Sequence, residues 1–194
     1  EQQMRAAWGG IVGAKYYYLL KGEHIESKLS LDSKSISHQH VMPPNLRNFL
    51  GAYNVAQKLT VKAALRLRKE KMMCKKISFF VKYTNGQYWE HHVRLSETQD
   101  TSIMLQKLKE FYAFSPRKLT PIKVTIWLSD FVPETQHQLS FFDNYKRNTV
   151  FQAVDAINQK YGRDTVYVGS LHDHRSTAPT RIAFSRIPEL DEVD

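Results

Sequence analysis

Cysteine is nearly missing from this chain: Cys74 is the only one among 194 residues. No internal disulfide can form, and a reducing, cytoplasmic setting is the expected one. Long hydrophobic runs are missing too. No stretch of about 18 uncharged apolar residues could span a membrane, and a soluble monomer is expected. The chain starts at Glu1 rather than Met and shows no secretory pattern of charged then apolar residues, so it is expected to be a piece of a longer protein. Acidic residues are scarce in the middle. Residues 34–132 hold 17 Lys and Arg against 6 Asp and Glu, while residues 1–33 balance at 4 against 4 and residues 133–194 carry 7 against 9. The basic character belongs to one central block, which points to a polyanionic partner for that block alone.

What is present fits a globular protein, with 42% apolar and 12% aromatic residues. A chain of this length buries one ordinary core and leaves about 50 residues for extensions. Residues 4–22 carry apolar positions at helical spacing from Ile11 to Leu20, with Gly22 as the stop. Residues 23–33 are polar and unpatterned, a linker. From Lys34 the pattern becomes that of a domain. Residues 34–42 are extended and end at Pro43-Pro44; Asn45 can cap a helix to about residue 71, with Leu46, Leu50, Val55, Leu59, Ala63 and Leu67 on its apolar face. Residues 74–83 alternate, Asn85-Gly86 marks a hairpin, and residues 87–95 return as the partner strand. A second helix is predicted over 98–114 and a last strand over 122–128.

The order strand, helix, strand, strand, helix, strand is a split β-α-β-β-α-β pattern. It predicts an α+β fold with a four-stranded antiparallel sheet, both helices on one face and the other face open. If Ile77, Phe79, Val81, Ile122, Val124 and Ile126 point to the helices, the period of two puts Lys76, Ser78, Lys82, Lys123 and Thr125 on the open face. Arg94, on the partner strand, joins this candidate set. Lys and Arg neutralise phosphates, and hydroxyls bond phosphate oxygens without reading sequence. Phe80 and Trp127 are the misfits on that face. Beyond it, a helix is predicted over 150–161 and a short strand over 165–168, while residues 171–179 read as flexible and 181–190 as patternless.

Other constellations carry less. His38-x-His40 share a strand face and His91-His92 are adjacent, yet no Cys or acidic third ligand stands nearby, so no metal is expected. A hydrolase built on these histidines would need one. Cys74 lacks a defined partner for nucleophilic chemistry. Gly9-Gly10 and Gly13 make no phosphate loop, because no strand precedes them and no Lys-Ser or Lys-Thr follows.

Together, Lys34-Ser35-Ile36-Ser37-His38, the split β-α-β-β-α-β that follows and Gln138-Leu139-Ser140-Phe141-Phe142 resemble the C-terminal part of a Y-family translesion DNA polymerase of the bacterial DNA polymerase IV type. The resemblance divides the chain into the end of a thumb helix (1–22), a linker (23–33), a little finger domain (34–132), a linker with a clamp-binding motif (133–147) and a C-terminal extension (148–194). It implies that Lys34, Ser35, Ile36, Ser37 and His38 follow a phosphate strand of template-primer duplex, with the backbone amides of 35–37 contributing. It also implies that Gln138, Leu139, Ser140, Phe141 and Phe142 dock on a bacterial sliding clamp, the apolar side chains filling a pocket. Phosphoryl transfer needs carboxylates around metal ions about 4 Å apart. The family's palm supplies them, and neither of its acidic motifs occurs here, so Mg²⁺ is expected in the parent polymerase and no cofactor or catalytic residue in this portion. The alternative is a non-catalytic DNA-binding adaptor that recruits the clamp.

Overall fold

In the computed structural model, residues 1–23, 35–136, 145–175 and 177–178 are described, with side chains from residue 150 in the last helix. The chain divides into two compact units, Glu1–Ser33 and Lys34–Asp194. In the first, Gly9 takes a positive φ of 79°, which breaks the single helix predicted over 4–22 into α1 (Gln2–Trp8) and α2 (Gly10–Leu20). Only glycine takes that backbone cheaply. Gly13 has no room for a side chain, because a Cβ there would run into the Met4 carbonyl, so α1 and α2 pack backbone to backbone. Gly22, also left-handed at φ 79°, ends α2 where the sequence predicts.

In the second unit the strand β1 (Ser35–Val41) leads through a short 3₁₀ turn into α3 (Phe49–Lys69). The cap is Asn48 rather than the predicted Asn45, its side chain accepting the Gly51 amide at 2.8 Å. Pro43 and Pro44 hold the intervening residues in the tighter turn and delay the helix. Leu50, predicted for the apolar face, is 62% exposed because that face starts at Gly51 and Ala52. Lys71, with φ 52°, reverses the chain into β2 (Met72–Tyr83), and the Asn85-Gly86 turn leads to β3 (Tyr88–Thr98). Gly86 takes φ 85°, and Tyr83 and Gln87 close the turn at 2.9 Å. Next come α4 (Thr101–Tyr112), capped by Asp100, and β4 (Pro121–Pro133).

The antiparallel sheet has the order β1-β4-β2-β3, so β4 and β2 are central and β1 and β3 are edges. Ile36, Ile77, Phe79, Val81, Val124, Ile126 and Leu128 line one face and are buried with Val55, Leu59 and Leu67 of α3 and Met104 and Leu108 of α4. Each contributes roughly 1.5–3 kcal/mol of transfer free energy. Both helices cover that face: α3 packs on β1, β2 and β4, and Phe111 of α4 stacks on His91 of β3 with ring centroids 4.0 Å apart.

After β4, α5 (Tyr145–Tyr161) and a 3₁₀ helix at Gly169–His174 fold back along α3. Arg68, with its side chain only 6% exposed, makes a paired contact to Asp155 at 2.6 and 3.0 Å. The same guanidinium donates to the Gln99 carbonyl and the Thr101 hydroxyl. Lys58 pairs with Asp164 at 2.8 Å, and Leu171 is 2% exposed. One expectation is corrected here. Residues 165–168 form no strand, because Asn158 at the end of α5 already takes the Val166 amide and carbonyl. Within the segment expected to be flexible, Leu171 and Ala178 are buried and Lys62 donates to the Ala178 carbonyl at 2.7 Å, while His172, Asp173 and Arg175 stay exposed.

Candidate nucleic-acid interface

Antiparallel partners point to the same face, and every second residue along a strand repeats it. The register therefore arranges the open face as four rows across the order β1-β4-β2-β3. They are Ser35-Ser129-Lys76-Arg94, Ser37-Trp127-Ser78-His92, Gln39-Thr125-Phe80-Glu90 and Val41-Lys123-Lys82-Tyr88. The cations fill the two outer rows, with Lys76 opposite Arg94 and Lys82 opposite Lys123. Like charges directly opposed across strands destabilise a sheet. An anion between them would relieve that cost.

The inner rows are aromatic. Trp127 is 44% exposed on the central strand β4, 6.3 Å from Phe80 on β2, and His92 meets the Phe80 ring edge-on at 5.6 Å. His92 also bonds the Ser78 hydroxyl at 2.8 Å, and Ser78 is only 4% exposed. Glu90, exposed in the third row, lies 3.9 Å from His92.

The predicted residues fall into three groups. Ser35, Ser37, Lys76, Lys82, Arg94, Lys123 and Thr125 are brought together on the open face. Ser78 shares that face but is covered, its hydroxyl engaged by His92. Ile36 and His38 point the other way: Ile36 is 0% exposed in the core, in line with the buried Leu128 and Ile77. The Met42 amide bonds the Ile122 carbonyl at 2.9 Å, and the alternation of antiparallel pairs then turns the amides of Ile36, His38 and His40 to β4. The amides of Ser35, Ser37 and Gln39 face the free edge. Of the three predicted amides, those of Ser35 and Ser37 are therefore turned to the edge, while Ile36 has both its amide and its side chain turned inward. Lys34 and the motif Gln138, Leu139, Ser140, Phe141 and Phe142 lie outside the described residues.

Gln39 and Glu90 were missed from sequence, whereas His92, singled out there only as one of two adjacent histidines, is placed beside Ser78 by the β2/β3 register that the Asn85-Gly86 turn fixes. The adjacent His91 and His92 point to opposite faces, and among the described residues no three His, Cys, Asp or Glu side chains gather as a metal ion requires. Cys74 is 0% exposed, and burial pushes its thiol up to about 12, which leaves it protonated and a poor nucleophile. Among the described residues no helix is long and apolar enough to cross a membrane.

Residues 33–141 match the model of the impB/mucB/samB family C-terminal domain. A search of curated proteins found no match.

Proposed function

The chain belongs to the impB/mucB/samB family through its C-terminal domain, the C-terminal region of Y-family DNA polymerases, and from that premise we propose that it grips template-primer DNA by the phosphate backbone. The observation that carries this reading is the pair of like-charged cross-strand contacts, Lys76 with Arg94 and Lys82 with Lys123, at the two ends of the open sheet face. Lys and Arg there neutralise phosphates and release counterions, and the Ser35, Ser37 and Thr125 hydroxyls bond phosphate oxygens. Such contacts carry no base information and so tolerate a damaged template, which suits bypass synthesis in DNA repair. Polymerisation itself is assigned to a catalytic domain outside this sequence. Gln138, Leu139, Ser140, Phe141 and Phe142 supply a second contact, a peptide that docks its apolar side chains into a pocket of a bacterial sliding clamp while Gln138 fixes the register.

Replacing Lys76, Lys82 and Lys123 together by Ala is expected to weaken duplex binding by the same factor whatever the duplex sequence, measured by fluorescence anisotropy. A loss that varies with sequence would contradict a backbone grip. Titration against a bacterial clamp tests the second contact: Phe141→Ala with Phe142→Ala is expected to abolish binding, and retention of parental affinity would remove the motif from the reading.

A further inference from the structure

The aromatic centre of the open face is unexplained by a phosphate grip, which needs cations and hydroxyls only. Trp127 and Phe80 occupy the two central strands in successive rows, with their rings 6.3 Å apart, and His92 closes the cluster. Trp127 stays 44% exposed on a central strand although Phe80 lies beside it, so the rings form an open aromatic patch rather than a single exposed side chain. The cluster is flanked on both sides by cations: Lys76 and Arg94 one row beyond Trp127, Lys82 and Lys123 one row beyond Phe80. Rows two residues apart are about 6.6–7 Å from each other, so the two basic rows stand about 20 Å apart with the rings between them. That is roughly the span of a few nucleotides of extended single strand, since strand and row advance by similar steps.

Rings in the middle and cations at the ends match the chemistry of single-stranded nucleic acid, in which unpaired bases expose their π-faces and phosphates follow at regular intervals. A duplex cannot use the rings this way, because its bases are stacked on one another.

We propose that the open face also binds single-stranded nucleic acid, with an unpaired base stacked on Trp127 beside Phe80 and His92, and the flanking phosphates held by Lys82 with Lys123 and by Lys76 with Arg94. This extends the reading that the sheet face meets nucleic acid, and it assigns the face a ligand with exposed bases, such as the template strand where it leaves the duplex. Glu90, in the row of Phe80 next to that of Trp127, discourages a phosphate between the two basic rows.

The test compares a short oligothymidylate, an abasic strand of the same length and a duplex, each titrated with the chain at one salt concentration. The oligothymidylate is expected to bind roughly tenfold more tightly than the abasic strand, the contribution of one stacked base. Trp127→Ala is expected to bring that ratio close to one, and Trp127→Phe to restore most of it, with thermal melts showing that both variants fold. The proposal is overturned if the abasic strand binds the parent as tightly as the oligothymidylate, or if Trp127→Ala weakens both strands equally. Duplex binding with no base-dependent ratio overturns this proposal alone. Failure of all three ligands to bind overturns the phosphate grip as well.

Discussion

Cys74 lies at 0% exposure near the start of β2, and burial raises its thiol from an ordinary 9.0 to about 12. Tyr83, 3% exposed at the other end of the strand, is raised by burial from 10.0 to about 12, and Tyr112 is pushed up further. In each the folded state favours the protonated form. The stability they confer is therefore fully present below the unfolded value and is lost as pH rises toward the folded one. The unfolding free energy from urea titrations is expected to stay level up to about pH 9 and then fall toward pH 12, by about 1.4 kcal/mol per pH unit for each such group above its unfolded value. Cys74→Ala is expected to flatten the first part of that fall; a parental slope in the variant would assign the loss elsewhere. At this scale the sequence was informative where the strand period decides the face: Lys76, Lys82, Lys123 and Thr125 stand where it puts them. It was uninformative where a neighbour decides, as for Ser78, which His92 covers.

Among elements, the helix ends were read a few residues off because proline chemistry and capping compete locally; Asn48, not Asn45, supplies the side-chain acceptor. The hairpin was legible because Asn-Gly permits few alternatives. The docking of α5 and the Gly169–His174 turn was not legible, since its contacts join residues 87 to 116 positions apart and no local pattern encodes them. Arg68 is the hub of that docking, joining α3, the start of α4 and α5 through one guanidinium. Asp155→Ala leaves this buried charge with only neutral partners. It is expected to cost about 3 kcal/mol and to speed amide exchange in α5 and Gly169–His174 while leaving the central strands protected. Unchanged exchange in α5 would show that Leu171 and Lys58 hold the extension without Arg68.

For the molecule as a whole, the split β-α-β-β-α-β order set the fold, because two helices on one face leave the other face to solvent or ligand. The excess of Lys and Arg over 34–132 is only partly a feature of that face. Lys58 and Arg68 are consumed by Asp164 and Asp155 on the helix side, while Lys76, Lys82, Arg94 and Lys123 stay together on the sheet. Charge counting alone could not separate these two sets; the register did. The central claim is that the sheet face carries the phosphate contacts, and its sharpest test is the salt dependence of duplex affinity. Each phosphate contact contributes roughly one unit to the slope of log K against log salt. Replacing Lys76, Lys82 and Lys123 by Ala is expected to flatten that slope by up to about 3 units, whereas an unchanged slope would place the DNA on another surface.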